Sequence, residues 1–272
     1  MGDDHAPVSL IDRVQQYLRT AARSQYQAIA VAPYTLFINP RDLLTYQNYA
    51  IPDEPVQGDQ QATLAQVKQA FATRARRARF EFVREYAEAL PAQLISTGFV
   101  EEGSYPLLIC TPGNLCIPAI PADLSFVVYD DQAPAEALLL TLMINEQGFN
   151  EADAASFSRD DIERFRGVIR GGRAFVALLD DQPVASGMFN KPHNGLCELV
   201  GITTLSAFRG RGIAAALTAW MTQYAFALGV ELTFLSAADE HATRVYERVG
   251  YRRQATLVAY VVPPFYSQVQ KD

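Results

Sequence analysis

The sequence predicts an α/β protein in which helices flank a mixed, largely antiparallel twisted sheet, arranged as two pseudo-repeated halves. Three observations carry that prediction. Strand-like and helix-like runs alternate regularly after residue 122, tight turns join strands there as hairpins, and the order of elements recurs faintly in the first half.

The 272 residues, 49% apolar and 19% charged, have a composition that builds a sizeable core. A net charge of −7 speaks against holding nucleic acid as the main task, because phosphate contacts need clustered cations. No run of about 18 apolar residues is present, so no membrane span is expected. The acidic start, Met1-Gly2-Asp3-Asp4-His5, lacks the apolar run of a secretory signal, and Ala6 stands where a myristoylation site wants Ser or Thr. Cys110, Cys116 and Cys197 cannot all pair within one chain, and their spacing fits no zinc pattern. Three reduced thiols in a cytoplasmic protein, with no metal, is the simplest reading.

The stretch Thr111 to Ala122, TPGNLCIPAIPA, reads as a linker, since Pro112-Gly113 marks a turn and Pro118 and Pro121 keep the backbone extended. The expected domains are therefore 1–111 and 123–272, joined by 112–122. In the second, Leu124 to Tyr129 is a short apolar strand. Pro134 suits a first helical turn, and Ala135 to Gln147 carries Leu138, Leu139, Leu142, Met143 and Ile144 on one face. Ser158 is an N-cap for a helix over Arg159 to Arg170, with Asp160, Asp161 and Glu163 in its first turn. Ala174 to Leu179, the turn Asp180-Asp181-Gln182 and Val184 to Phe189 form a hairpin. A second turn, Lys191 to Gly195, leads into a strand over Cys197 to Thr204. A long helix after Gly212 places Ile213, Leu217, Trp220, Tyr224 and Leu228 at the helical period and stops at Gly229. A strand over Val230 to Leu235, a helix over Asp239 to Val249 and a strand over Thr256 to Val262 complete the chain.

The first half repeats this order. A shift of 152 lays Leu36-Phe37 on Met188-Phe189, Phe80-Glu81-Phe82 on Leu232-Thr233-Phe234, and Gly98-Phe99 on Gly250-Tyr251. The helical face Leu64, Val67, Phe71 slips by one position. The cluster Arg74, Arg76, Arg77, Arg79 reads as a solvated helix end, with an anion patch as the alternative.

A strand, a loop with two glycines and then a helix make an anion site. The first backbone N–H groups of the helix lack intrahelical partners, and the macrodipole adds positive potential there. Arg209-Gly210-Arg211-Gly212-Ile213-Ala214 has this form, with two arginines as charge-assisted donors suited to a diphosphate. The loop lacks the Gly-Lys-Ser/Thr ending of a nucleotide-triphosphate site, and Ala215 breaks a dinucleotide fingerprint.

Here the chain resembles the GCN5-related N-acetyltransferases, the GNAT superfamily. Arg209, Gly212 and Ala214 match their Arg/Gln-x-x-Gly-x-Gly/Ala signature, and Asp239, Ala242, Val245 and Tyr246, followed by Gly250-Tyr251, match a second motif at its proper distance. The resemblance covers about residues 123 to 262 and departs at Asp239, where Asn is commoner, and at Ser206, where Pro often stands. It implies a GNAT-like fold, acetyl-CoA as acyl donor, and direct transfer to an amine. It places the coenzyme's pantetheine arm along Ile202, Thr203 and Thr204, its diphosphate on Arg209, Gly210, Arg211, Gly212, Ile213 and Ala214, and gives Asp239 a part in holding it. Tyr246 matches the tyrosine that protonates the departing thiolate, and its other reading is a ring packing on the core. The tandem order further resembles family members with two such domains, the first one degenerate.

An amine must lose its proton before attack, and a carboxylate in partly apolar surroundings can take it. Glu198 is the candidate, a lone charge in an apolar strand, expected to share a face with Val200, Ile202 and Thr204. It is otherwise a strand-edge glutamate in solvent, with a water chain as the base. Gly201 suits a bulge that opens the sheet. Cys197 as an acetylated nucleophile is a rival route without a neighbouring His. In the first half the glycine turn becomes Gln57-Gly58-Asp59-Gln60-Gln61-Ala62, where an acid would repel phosphate. The expected partner is a small-molecule or peptide amine, with neither nucleic acid nor membrane, and the chain is a monomer or a homodimer. Glu151, Asp153, Asp160 and Asp161 suit a cationic acceptor. The competing class is a non-catalytic acyl-CoA-binding or regulatory module.

Overall fold

The computed structural model describes residues 8–42, 44–150 and 156–264, so Glu151 and Asp153 lie outside the described residues. In chain order the elements are α1 (Leu10–Gln25), β1 (Gln27–Val31), β2 (Tyr34–Ile38), β3 (Tyr49–Pro52), α2 (Gln61–Ala72), β4 (Arg79–Val83), α3 (Leu90–Ser96) and β5 (Val100–Cys110). There follow β6 (Leu124–Tyr129), α4 (Ala135–Asn150), α5 (Arg159–Val168), β7 (Arg173–Leu179), β8 (Gln182–Phe189) and β9 (Leu196–Thr204). The chain ends with α6 (Ile213–Ala227), β10 (Leu232–Ser236), α7 (Glu240–Arg248) and β11 (Arg252–Val261). It divides into two compact units, one of residues up to Tyr105 together with those from Ala255 on, the other Pro106–Gln254.

In the second unit the strands run β6-β7-β8-β9-β10-β5, antiparallel except for the parallel pair β9 and β10. The β7–β8 hairpin forms because Asp180 and Asp181 both take positive φ, 49° and 60°, which matches the twist of the strands they join. Neighbouring residues on β7 bury in different clusters, Phe175 with α6 and Ala174 with α4 and α5, so helices cover both faces. Helix α6 comes close because Ala215, Ala216 and Ala219 are small and buried. Helix α5 starts on a capping box between Ser158 and Asp161, which assigns Asp161 to that cap. The stretch 111–122 has no helix or strand, and the Cys116 amide donates to the carbonyl of Val249.

In the first unit the order is β1-β2-β3-β4-β11, with β3 and β4 parallel and the other pairs antiparallel. Phe37 and Ile51 pack under α1 with Ala22, while Leu36, Ala50 and Phe80 pack under α2 and α3. The pseudo-repeat holds at the level of elements. Helices α2 and α6 begin at Gln61 and Ile213, and strands β5 and β11 at Val100 and Arg252, each pair 152 residues apart. The final strands are traded: β11 pairs with β4 in the first unit, and residues 107–110 of β5 pair with β10 in the second. The arginine cluster divides, with Arg74 and Arg77 exposed to solvent. Arg79 is buried and ion-paired with Glu81 and Glu102, and Arg74 and Arg76 donate to backbone carbonyls. Among the described residues no helix is long and apolar enough to cross a membrane.

Candidate functional site

The second unit's sheet opens where its parallel pair parts. Pairing between β9 and β10 spans Leu196–Leu232 to Glu198–Phe234, while β9 runs on to Thr204. Beyond that vertex lies a cleft of about 670 Å³, walled by β9 from Leu199 to Thr204, by the turn before α6, and by Tyr246 of α7.

A bulge shapes the β9 wall. Ser186 faces Thr203 and Met188 faces Val200, so Gly201 and Ile202 together oppose Gly187. Gly201 makes this possible with φ of +63°. The extra residue shifts the alternation by one and overturns the expected facing. Ile202 packs with Cys197 and Leu199 on the α6 face instead of sharing a side with Glu198, and Thr203 turns to α4, against Gly148. From α4 the Asn145 side-chain amide donates to the Gly201 carbonyl at 2.7 Å and fixes the bulge. Thr204 lines the cleft, but its hydroxyl is turned away from solvent and has no hydrogen-bond partner among the described residues.

The turn before α6 presents open donors. Gly210 and Gly212 have φ of +77° and +80°, and space around both is free, so the backbone angle requires glycine here rather than crowding. Gly212 is the N-cap and no side chain caps the helix. The amides of Ile213, Ala214 and Ala215 are left to the cleft, at the positive end of a 15-residue helix. Arg209 lines this region, but its guanidinium is engaged by the protein. Nε donates to the carbonyl of Thr204 at 3.0 Å and Nη2 to that of Gly148 at 2.8 Å. Arg209 thus ties the start of the turn to β9 and to the end of α4. Arg211 lies outside the cleft wall, donating weakly to the carbonyl of Ala207 with its charge over the Phe208 ring.

Tyr246 reaches the cleft from α7, and burial, with the nearby negative charge of Asp239, pushes its phenol up to about 12. Asp239 itself does not line the cleft; its carboxylate accepts the Ala242 amide at 2.7 Å and caps α7. Glu198 sits at the vertex, one residue beyond the lining. Its carboxylate accepts from the side-chain amide of Asn190 at 2.8 Å. Cys197 is fully buried, its thiol donates to the Asn190 carbonyl, and burial followed by the Glu198 charge pushes its ionisation far upward. That removes the thiolate route.

The structure therefore brings Ile202, Thr203, Thr204, Arg209, Gly210, Gly212, Ile213, Ala214 and Tyr246 to one cleft, places Glu198 at its apex, and leaves Arg211 and Asp239 outside the wall. Asn145 and Asn190 were missed, as polar residues without a motif. The open amides at the start of α6 and the unpaired stretch of β9 along one wall of the cleft together fit a ligand with an anionic head and an extended arm.

Residues 139–251 match the model of the acetyltransferase (GNAT) family. A GCN5-related N-acetyltransferase from Kribbella flavida has a TM-score of 0.79 and 25% identity, covering 94% of this chain and 96% of that one. A GCN5-related N-acetyltransferase from Sphaerobacter thermophilus has a TM-score of 0.61 at 16% identity, over 85% and 78% of the two chains. A tandem GNAT protein from the clavulanic acid biosynthesis pathway has 0.60 at 14%, over 85% and 79%. The last two speak to the fold alone. No curated protein matches this chain.

Proposed function

From the match of residues 139–251 to the model of the acetyltransferase (GNAT) family, we propose that the second unit transfers an acetyl group from acetyl-CoA directly to an amine. The observation that carries this is the uncapped, glycine-started N-terminus of α6 opening onto a parted sheet. The amides of Ile213 to Ala215 hold the diphosphate, and the unpaired stretch of β9 along the cleft wall receives the pantetheine arm.

In this reading Glu198 takes the ammonium proton, directly or through one water, since it stands just past the lining. The Asn190 amide orients its carboxylate. The amine nitrogen attacks the thioester carbon, the carbon–sulfur bond breaks, the Tyr246 phenol gives its proton to the departing thiolate, and the second proton lost by the new amide nitrogen restores the phenol through solvent. The apolar wall that raises the phenol raises the thiol as well, which keeps the two matched. The acceptor is a small-molecule or peptide amine.

Steady-state turnover of acetyl-CoA over a panel of amines, with products read by mass, tests the proposal. A 42-dalton gain is roughly what acetylation adds. Tight coenzyme binding with no turnover on any amine, and no effect of Tyr246→Phe, would instead assign a non-catalytic acyl-CoA sensor.

A further inference from the structure

We propose that the first unit is a cleft of the same kind closed from within, with Gln15 of α1 standing where a ligand's amide would, so that the chain holds one coenzyme. This rests on the reading of the second unit's cleft given above. In the first unit the parallel pair β3 and β4 shares a single paired position, Ala50 with Phe80, and parts beyond it. The gap is filled by the protein. Gln15, with no exposed surface, donates from Nε2 to the carbonyl of Pro52 at 3.3 Å and accepts the Val83 amide on Oε1 at 3.0 Å. One carboxamide satisfies both strands, as an extended ligand's amide would. In the second unit the 152-residue shift puts Gly167, with no side chain, at the place of Gln15, and the carboxamide of Asn145 on α4 bonds only the β8–β9 side of the opening.

The helix that follows has no side-chain cap either, but the two amides at its very start are taken up by side chains. The Gln60 amide donates to Oε1 of Gln93 at 2.7 Å, and the Gln61 amide to the Asp59 carboxylate at 3.0 Å. A carboxylate thus stands where α6 leaves its amides open, and it repels a diphosphate. What remains at the mouth is a pocket of about 290 Å³ that includes Arg19 and Tyr86, less than half the volume of the second unit's cleft. Arg19 is already ion-paired with Asp53, and the Tyr86 hydroxyl donates to the Asp53 carbonyl.

Titration calorimetry and amide hydrogen exchange on the full chain test this, with coenzyme A as the probe. The expected stoichiometry is one. Coenzyme slows exchange at residues 213–215 and leaves Gln60 and Val83 unchanged, while Gln15→Ala without ligand speeds exchange at Val83 by about tenfold or more. A stoichiometry of two, coenzyme-dependent slowing at Gln60 or Val83, or an unaltered Val83 amide in Gln15→Ala would overturn the inference. If Gln15→Ala does not fold, Gln93→Ala gives the same reading at the Gln60 amide. Failure to bind coenzyme at all sinks the reading of the second unit, whereas the ligand-free exchange at Val83 and Gln60 still decides whether the first is sealed by its own side chains.

Discussion

The guanidinium of Arg209 donates to the carbonyl of Gly148 across 2.8 Å, joining the glycine turn to the end of α4. The cation also sits favourably at a helix C-terminus. Arg209 therefore holds the turn in the ligand-free protein, its guanidinium taken up by two backbone carbonyls. Arg209→Gln should lower the stability of the ligand-free protein by about 1.5–3 kcal/mol, the range for hydrogen bonds with a charged group, and weaken coenzyme binding as well. Thermal melts with and without coenzyme A check this. An unchanged ligand-free melting temperature with weakened binding would return Arg209 to a direct diphosphate contact.

Tyr246→Phe should leave the fold intact and lower kcat by about 100-fold or more, the usual scale for a lost general acid. Burial holds the phenol at about 12, so its own ionisation should not shape the rate profile below about pH 11. The folded pKa lies above the ordinary value of 10. The stabilisation from the neutral phenol is thus complete below pH 10 and lost as pH rises from 10 through about 12. Alkaline unfolding of the Tyr246→Phe protein should accordingly be shallower across that window. An identical alkaline limb in both proteins would contradict the buried phenol.

Glu198→Gln keeps an oxygen for the Asn190 amide and removes only the base. The expected result is a fall in kcat of about 100-fold or more, with the coenzyme's KM nearly unchanged and the acidic limb of the rate profile lost. Asn190→Ala should lower turnover without abolishing it, because it removes one hydrogen bond to the carboxylate and keeps the carboxylate itself. A Glu198→Gln enzyme that keeps the wild-type acidic limb would transfer the proton-accepting role to water.

Much of this site was legible because it is local. The positive φ of Gly210 and Gly212 and the open start of α6 follow from six consecutive residues. The supporting contacts were hidden by distance along the chain: Asn145 reaches Gly201, 56 residues on, and Arg209 reaches back 61 residues to Gly148. Gly201 was readable as a bulge, but its effect on the facing of Ile202 required knowing that β8 contributes one residue, Gly187, against two. Periodicity identified a last strand, yet not its partner. Nothing local tells β11 to pair with β4, whose Val83 lies 174 residues before Leu257.

Gly148 and Thr203 should prove coupled. A Cβ at Gly148 would lie 2.2 Å from the Thr203 hydroxyl and 2.6 Å from its methyl, so α4 and β9 could not keep their spacing. Alanine gains about 1 kcal/mol of helix propensity over glycine, but overpacking at a closed contact costs about 1–3 kcal/mol. The steric term should win, making Gly148→Ala destabilising and loosening the cleft wall that Thr203 shares with Thr204. Thr203→Ala removes the two closest atoms and leaves only the 2.9 Å approach to its own Cβ. The double variant should recover at least half of the loss in both denaturant stability and coenzyme affinity. A double-mutant cycle with no interaction energy would show that the helix and the strand yield independently, and that their close approach does not set the width of the cleft.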